Sequence, residues 1–152
     1  MTGVAETQVR GDLDEAIAQV EESLSIVFGR ARSVYKDAAA QIHPELQPVG
    51  YKILSSIVRQ GDTTALALSD LLDTDKSVVS RQVRMLEDAG LVVSRPDEKD
   101  GRMRVLSATA HAVERVRAVR TSQQNRLRDR LRTLPEEDVR AFARMLHLLG
   151  EP

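Results

Sequence analysis

A long amphipathic segment near the start of the chain constrains the fold more than any other feature. Between Leu13 and Ala38, apolar residues alternate at steps of four and three, the heptad spacing of a helix that packs along its length. Phe28, Tyr35 and Ile42 add a second stripe at intervals of seven. A helix of about 30 residues is roughly 45 Å long. Since a compact monomer of 152 residues cannot cover such a helix, we expect part of it to pack against a second chain.

Short helices and tight turns follow, in the spacing of a helix-turn-helix. Pro44 ends the first helix, because the residue before a proline is pushed out of the helical region. Pro48 and Gly61 are start and stop signals of the second helix. A short third helix precedes the polar turn Asp73–Asp75, and a fourth runs over Lys76–Ala89. The predicted N-caps of the third, fourth and fifth helices are Thr63 or Thr64, Asp75 and Thr109.

The periodicity changes after the fourth helix. Residues Leu91–Arg95 and Arg102–Ser107 are predicted to be strands, and the segment Pro96–Gly101 between them carries turn chemistry. This pattern predicts a β-hairpin with a polar tip. A fifth helix follows Thr109, and Pro135 with three acids after it marks the start of a sixth.

The charged residues are distributed unevenly along the chain. The formal net charge is −1, but residues 1–75 carry twelve acids and six bases, whereas residues 76–152 carry sixteen bases and eleven acids. A polyanion would therefore bind the second half of the chain. A dipolar surface that is merely solvated is the alternative interpretation.

The fourth helix has one apolar and one basic face. Val79, Val83 and Leu86 are spaced to pack inward, and residues 76–86 contain no acid. A helix of this kind fits the major groove of B-DNA, where arginines bind guanine edges and short hydroxyls bind phosphates or bases. The alternative is a solvated basic face on an ordinary helix. The predicted DNA contacts of this helix are Lys76, Ser77, Ser80, Arg81 and Arg84.

The hairpin is the second candidate contact. Arg95, Lys99, Arg102 and Arg104 put four cations on one short ribbon, and arginines on a thin ribbon can enter a narrow A·T-rich minor groove. Asp100 is predicted to hold Arg102 in a fixed pose through a charge-assisted hydrogen bond. A charged hairpin that only keeps the protein soluble is the alternative.

Residues 68–104 carry an ordered motif that resembles the signature of MarR-type winged-helix regulators. The motif reads Asp75-x-Ser77-x-Val79-Ser80-Arg81-x-Val83-x-x-Leu86-Glu87-x-x-Gly90-Leu91-Val92, then Arg95-Pro96-Asp97 and Asp100-x-Arg102. The resemblance implies a mainly α fold with a small β-hairpin wing. Residues 48–107 would form a winged helix-turn-helix DNA-binding domain, and residues 12–47 and 108–150 a helical dimerisation region. The family usually has Gly at the position of Asp73, and Asp tolerates the left-handed conformation that such a turn requires.

The resemblance also implies a function. A homodimer would bind double-stranded DNA at a near-palindromic operator, act as a repressor, and be released by a small aromatic or phenolic anion. The candidate ligand-pocket residues are Arg32, Tyr35, His43 and Tyr51, whose charged and hydroxyl groups suit a carboxylate or phenolate. Core packing of the two tyrosines is the alternative.

Composition excludes several other classes of protein. The chain has no cysteine, so disulfides, thiolate metal sites and thiol oxidation are ruled out, and its three histidines lack a chelating spacing. We expect neither a metal nor another cofactor. No apolar run approaches the roughly 20 residues of a membrane span, and the N-terminus lacks a signal-peptide core. A cytoplasmic protein without a membrane partner is the expectation.

Two other functions compete with DNA binding. A winged helix can serve as a protein-docking or dimerisation module, although the acid-free basic face of the fourth helix disfavours this. An enzyme would need a Gly-rich phosphate loop, a paired nucleophile and base, or a metal cluster, and the sequence offers none of them. We therefore predict a protein that is not an enzyme.

The fifth helix is unusually rich in arginine. These residues pair with the acidic first helix across the dimer or add contacts to DNA phosphates, and the sequence does not choose between the two. The arginines are Arg115, Arg117, Arg120, Arg126, Arg128, Arg130 and Arg132.

Overall fold

The computed structural model describes the backbone of residues 2–151 and the side chains of residues 11–151. Within this range the elements are α1 (Thr2–Ile42), α2 (Pro48–Gln60), β1 (Thr63–Thr64), α3 (Ala65–Leu72), α4 (Lys76–Asp88), β2 (Val92–Pro96), β3 (Arg104–Ala108), α5 (Ala110–Leu131) and α6 (Glu136–Gly150). The predicted fold class, mainly α with a small β wing, is confirmed. Among the described helices, none has the length and apolar character needed to cross a membrane.

Helix α1 is longer than the sequence pattern predicts, because it spans 41 residues. No residue between Gly11 and Asp37 is buried, whereas Ala38 and Ala39 are fully buried near the C-terminal end. The helix ends at Ile42, where the Arg115 guanidinium of α5 donates hydrogen bonds to the carbonyl oxygens of Gln41 and Ile42. These carbonyls have no partner within their own helix, so Arg115 satisfies them and joins α5 to α1.

Helices α2, α3 and α4 surround the core. Its largest fully buried side chains come mainly from these three helices, with Leu91, Val92 and Val116 from the wing and α5. The apolar spacing on α2 and α4 accounts for this, since residues three and four apart share one face of a helix. The core members from α2 to α4 are Ile53, Leu54, Ile57, Leu68, Val79 and Leu86.

The turn between α3 and α4 has the conformation anticipated for Asp73. Its φ of 45° lies in the left-handed region, where Asp is one of the few residues tolerated besides glycine. The Ser69 hydroxyl donates a hydrogen bond of 2.6 Å to the Thr74 carbonyl oxygen and closes the turn. Asp75 occupies the N-cap position of α4 as predicted, but its side chain makes no capping hydrogen bond to the described chain.

The sheet has one strand that the sequence analysis missed. Strand β1 contains two residues and pairs with β3, with Thr63 opposite Leu106, so that β3 is central in the order β1-β3-β2. The predicted hairpin is present with shifted bounds, since β2 includes Pro96 and β3 begins at Arg104. The predicted caps Thr64 and Thr109 each accept a backbone N–H at 3.2 Å, from Ala67 and Ala112 respectively.

Two helical surfaces carry apolar side chains that none of the described residues buries. None of the residues of α6 is buried, although α6 carries an apolar stripe. Its large apolar side chains are about half exposed or more, and so are several apolar side chains of α1. The exposed members on the two helices are Leu13, Ile17, Val20, Ile26, Val27, Phe28, Phe142, Met145, Leu146, Leu148 and Leu149.

Candidate nucleic-acid interface

Helix α4 presents its basic face to solvent. Val79 and Leu86 are fully buried on the opposite side, so the orientation of the helix is fixed by core packing. No ion pair among the described residues involves Arg81 or Arg84. Ser77, Arg81 and Arg84 are spaced by four and three residues and therefore share one face. The exposed residues between 76 and 86 are the five predicted from the sequence, Lys76, Ser77, Ser80, Arg81 and Arg84, and the acid Asp88 is exposed at the end of the helix.

A close contact with α2 supports α4 from behind. Gly50 is buried, and a Cβ at this position would lie 2.6 Å from Oε1 of Gln82 and 2.7 Å from Cδ1 of Leu46. Residues without a side chain permit such close approach between elements. The missing Cβ of Gly50 thus lets α4 pack closely against α2.

The tip of the wing is ordered by two carboxylates. One oxygen of Asp97 accepts the backbone N–H groups of Lys99 at 2.8 Å and Asp100 at 2.9 Å. An oxygen of Asp100 accepts the backbone N–H of Arg102 at 3.0 Å. The predicted charge-assisted hydrogen bond between Asp100 and Arg102 is wrong in its donor, because the backbone N–H of Arg102 donates and not the charged side chain. The acids of the wing therefore shape its backbone, which explains their presence on a basic ribbon.

The four cations of the wing form two groups, two at the tip and two at the base. Lys99 and Arg102 at the tip form no ion pair with any described residue. Arg95 lies 2.7 Å from Oδ2 of Asp62. The guanidinium of Arg104 donates hydrogen bonds to Ser94, from Nε to the hydroxyl at 3.1 Å and from Nη2 to the carbonyl at 3.0 Å.

Asp62 is a residue that the sequence analysis did not single out. Its Oδ1 accepts a hydrogen bond from the Ser107 hydroxyl at 2.5 Å, while Oδ2 receives the Arg95 guanidinium. Hydrogen bonds from the Ser107 hydroxyl, which has the larger effect, and from Arg95 lower the pKa of the Asp62 carboxyl below its ordinary value. Such hydrogen bonds stabilise the ionised carboxylate, so Asp62 carries a negative charge beside the wing.

A groove of about 770 Å³ lies between α1, α2 and α5. The Tyr35 and Tyr51 rings meet there with their centroids 5.9 Å apart, and Nζ of Lys52 lies 5.2 Å from the Tyr35 centroid. The Ser55 hydroxyl is buried beside the groove and has no hydrogen-bond partner among the described residues. No acid is among the described residues that line the groove. The basic lining residues are Arg30, Lys52, Arg59, Arg120 and Arg130.

Two of the four predicted pocket residues lie on this groove. Tyr35 and Tyr51 line the groove, but Arg32 and His43 are not among its described lining residues. Arg30, two residues before Arg32 on α1, lines the groove. His43 lies in a separate hollow that Arg81 and Arg84 also line, and its Nδ1 accepts the Glu45 backbone N–H at 3.3 Å. The groove therefore brings together two of the four predicted residues, and its described lining does not include the other two.

Helices α3 and α4 form a helix-turn-helix. The hairpin of β2 and β3 follows it and pairs with β1, which lies between α2 and α3. These elements define a winged helix-turn-helix domain. The sequence profile of the MarR family matches residues 46–103, the segment that includes α2 to α4 and most of the wing. Residues 46–103 thus match the MarR family model, and the resemblance found in the sequence is confirmed over this segment.

Solved structures agree with this fold over nearly the whole chain. YusO from Bacillus subtilis superposes with a TM-score of 0.74 at 19% identity, covering 90% of this chain and 96% of its own. Streptococcus pneumoniae FabT in complex with DNA gives 0.78 at 16% identity, with coverages of 88% and 94%. A MarR family protein from Bacillus stearothermophilus gives 0.72 at 21% identity, with coverages of 90% and 94%. No curated protein matches the sequence significantly.

The order of the wing tip is expected to depend on the charge of Asp97. Backbone N–H groups of Asp100 and Lys99 lower the pKa of this carboxyl below 3.8, so the carboxylate should persist as the pH falls through 3.8. Its contribution to wing order is present above the ordinary pKa and is lost as the pH falls through the lowered one. An NMR titration should show the Asp97 carboxyl and the amides of Lys99 and Asp100 changing together below pH 3.8.

The Asp97→Asn variant is the control for this titration. It retains an oxygen that accepts both N–H groups but cannot titrate, so the two amide signals should lose their shared pH dependence. A carboxyl midpoint at or above 3.8 in the wild-type protein would contradict the assignment.

Proposed function

We propose that this chain is a homodimeric transcriptional regulator that binds a near-palindromic DNA operator through α4 and the wing. The observation that carries the proposal is the solvent-exposed basic face of α4, which no acid interrupts between residues 76 and 86. The fold of the domain and its likeness to FabT, a structure solved with DNA, support the same function. An enzymatic role has no comparable support in the geometry.

Each part of the interface would make a different contribution to binding. Phosphate contacts supply most of the affinity and make it dependent on salt, while contacts to base edges supply sequence preference. Arg81 and Arg84 have the reach to bind guanine in the major groove, and Ser77 and Ser80 suit phosphates or base edges. Arg102 at the wing tip, which forms no ion pair with the described acids, suits a narrow minor groove.

A second copy of the chain is the proposed occupant of the exposed apolar faces of α1 and α6. Apolar stripes at heptad spacing on two long helices are the sequence signature of helices that pack along their length. Patches of this kind rarely stay exposed on a monomer. Pairing through these helices would present two copies of α4 to DNA, as a palindromic site requires.

The groove between α1, α2 and α5 is the proposed effector site of a repressor. Its aromatic walls and arginines suit a small aromatic or phenolic anion, with the charged end of the ligand held by guanidinium groups. Such a ligand would release DNA if it bound better to a dimer in which the two α4 helices are wrongly spaced.

The proposal as a whole is tested by selecting bound fragments from a genomic DNA pool with the purified protein. Recovery of one recurrent near-palindromic sequence is the expected result. Recovery of no DNA at low salt would favour a protein-docking module, while recovery without sequence preference would leave only nonspecific binding.

Arg84→Ala should weaken binding to the selected operator by about 1–3 kcal/mol and relax the preference at one base position. Fluorescence anisotropy with operators that vary at single positions measures both effects. The matched control is Arg140→Ala on α6, whose guanidinium already pairs with Glu136 at 2.6 Å. Equal weakening on every operator would reassign Arg84 to a phosphate.

Phe142→Glu should dissociate the dimer, because it places a charge in the apolar stripe of α6 and a buried unpaired charge is costly. Sedimentation equilibrium should show the mass falling to that of one chain at micromolar concentration. Leu71→Glu is the control, since Leu71 is 46% exposed on α3 and outside the proposed interface. A wild-type protein that sediments as a single chain would refute the dimer.

The effector site is tested by two neighbouring arginines of α1. Arg30 lines the groove, whereas Arg32 does not belong to its described lining. Arg30→Ala should therefore raise the concentration of benzoate or hydroxybenzoate needed to release operator DNA, and Arg32→Ala should leave it unchanged. Anisotropy titrations measure this directly, and an equal response of both variants would argue against the groove.

A further inference from the structure

The two arginines at the base of the wing lie on opposite faces of the hairpin. In the ladder, Arg95 is opposite Val105 and Pro96 is opposite Arg104. Side chains of successive residues alternate between the faces of a sheet, and directly opposite residues share a face. Arg95 therefore projects from one face and Arg104 from the other.

On the first face, Arg95 is held by the connection that precedes β1. Asp62 receives the Arg95 guanidinium on one oxygen and the Ser107 hydroxyl on the other, at 2.7 Å and 2.5 Å. Arg95 belongs to β2 and Ser107 to β3, so one carboxylate ties both strands of the wing to the end of α2. The two partners of the ion pair are about half exposed, and such pairs add little to stability.

On the second face, Arg104 is held through Ser94 to α4, the recognition helix of the proposed function. The Ser94 hydroxyl donates to a carboxylate oxygen of Glu87, which lies on α4, and accepts from the Arg104 guanidinium. A hydroxyl can donate once and accept at the same time, so the two bonds are compatible. The wing is thus linked to α4 by a chain of three polar side chains.

We propose that Asp62–Arg95 and Glu87–Ser94–Arg104 form a two-sided clamp that fixes the angle of the wing relative to the recognition helix. In this role Arg95 and Arg104 are positioning residues for the wing and leave Lys99 and Arg102 at the tip as its DNA contacts. The proposal revises the prediction that all four cations touch DNA, and it rests on the proposed DNA-binding function.

The salt dependence of DNA binding separates a positioning residue from a phosphate contact. Each phosphate contact contributes about 0.9 to the slope of log K against log salt. Lys99→Ala should reduce this slope by about that amount if Lys99 binds a phosphate. Arg95→Ala should weaken binding by about three- to tenfold and leave the slope unchanged. A slope reduced by about 0.9 in Arg95→Ala would overturn the clamp on this face.

A charge exchange provides a second test on the same face. Asp62→Arg and Arg95→Asp should each weaken binding, and the double variant should recover much of the loss because the ion pair is rebuilt in reverse. If Arg95 instead bound a phosphate, the double variant would remain at least as weak as Arg95→Asp.

The second face is tested by two substitutions of one residue. Glu87→Gln retains an oxygen that accepts the Ser94 hydroxyl and should bind DNA almost as the wild type does. Glu87→Ala removes the acceptor and should weaken binding by several-fold without a change in the salt slope. Equal binding by Glu87→Ala and the wild type would remove Glu87 from the clamp.

Amide hydrogen exchange rates in the DNA-free protein test the clamp independently of DNA binding. Asp62→Asn and Arg95→Ala should accelerate exchange in the β1–β3 and β2–β3 ladders several-fold, while Lys99→Ala should not. Unchanged exchange in both variants would refute the clamp even if the protein binds DNA. If the wild type bound no DNA, the proposed function would fail, and the exchange experiment would still decide the clamp.

Discussion

Burial of the apolar face of α4 is the constraint on which the rest of the structure depends. Val79 and Leu86 are fully excluded from solvent against α2 and α3, and Gly50 lets α2 approach closely behind them. A helix cannot rotate about its axis without exposing such side chains, at a cost of about 1.5–3 kcal/mol for each one. The position of Arg81 and Arg84 on the surface is therefore a consequence of the core, and so is the place where the wing joins the helix.

Features that depend on short-range chemistry were predictable from the sequence. The bounds of α2 follow from Pro48 and Gly61, and Thr64 and Thr109 cap the helices that they were expected to cap. The left-handed Asp73 was anticipated because the resembled family usually has glycine at this position and Asp tolerates the same conformation. The buried and exposed faces of α4 followed from helical periodicity alone.

Features that depend on distant partners were missed or assigned wrongly. Strand β1 contains two residues and exists because β3 pairs with it from more than 40 positions further along the chain. Arg95 looked like a free cation because its partner Asp62 is 33 positions away. Arg30 and Arg32 differ by two positions, which places them about 200° apart around α1, and only Arg30 lines the groove. The sequence pattern did not indicate which side of α1 faces α2. His43 follows the end of α1, where periodicity gives no direction.

The anchoring of α1 at one end has a mechanical consequence. Ala38 and Ala39 are fully buried, and Arg115 binds the last carbonyls, whereas no residue from Gly11 to Asp37 is buried. The helix is thus a lever whose packed end, the fulcrum, lies beside the winged helix-turn-helix domain. Between Gly11 and Ile42 it is about 45 Å long, so a tilt of about 5° at the fulcrum moves the far end by about 4 Å. A small displacement at the packed end of α1 would therefore become a change of several ångströms at its far end. In an assembly that pairs through α1, this would change the spacing between the two chains.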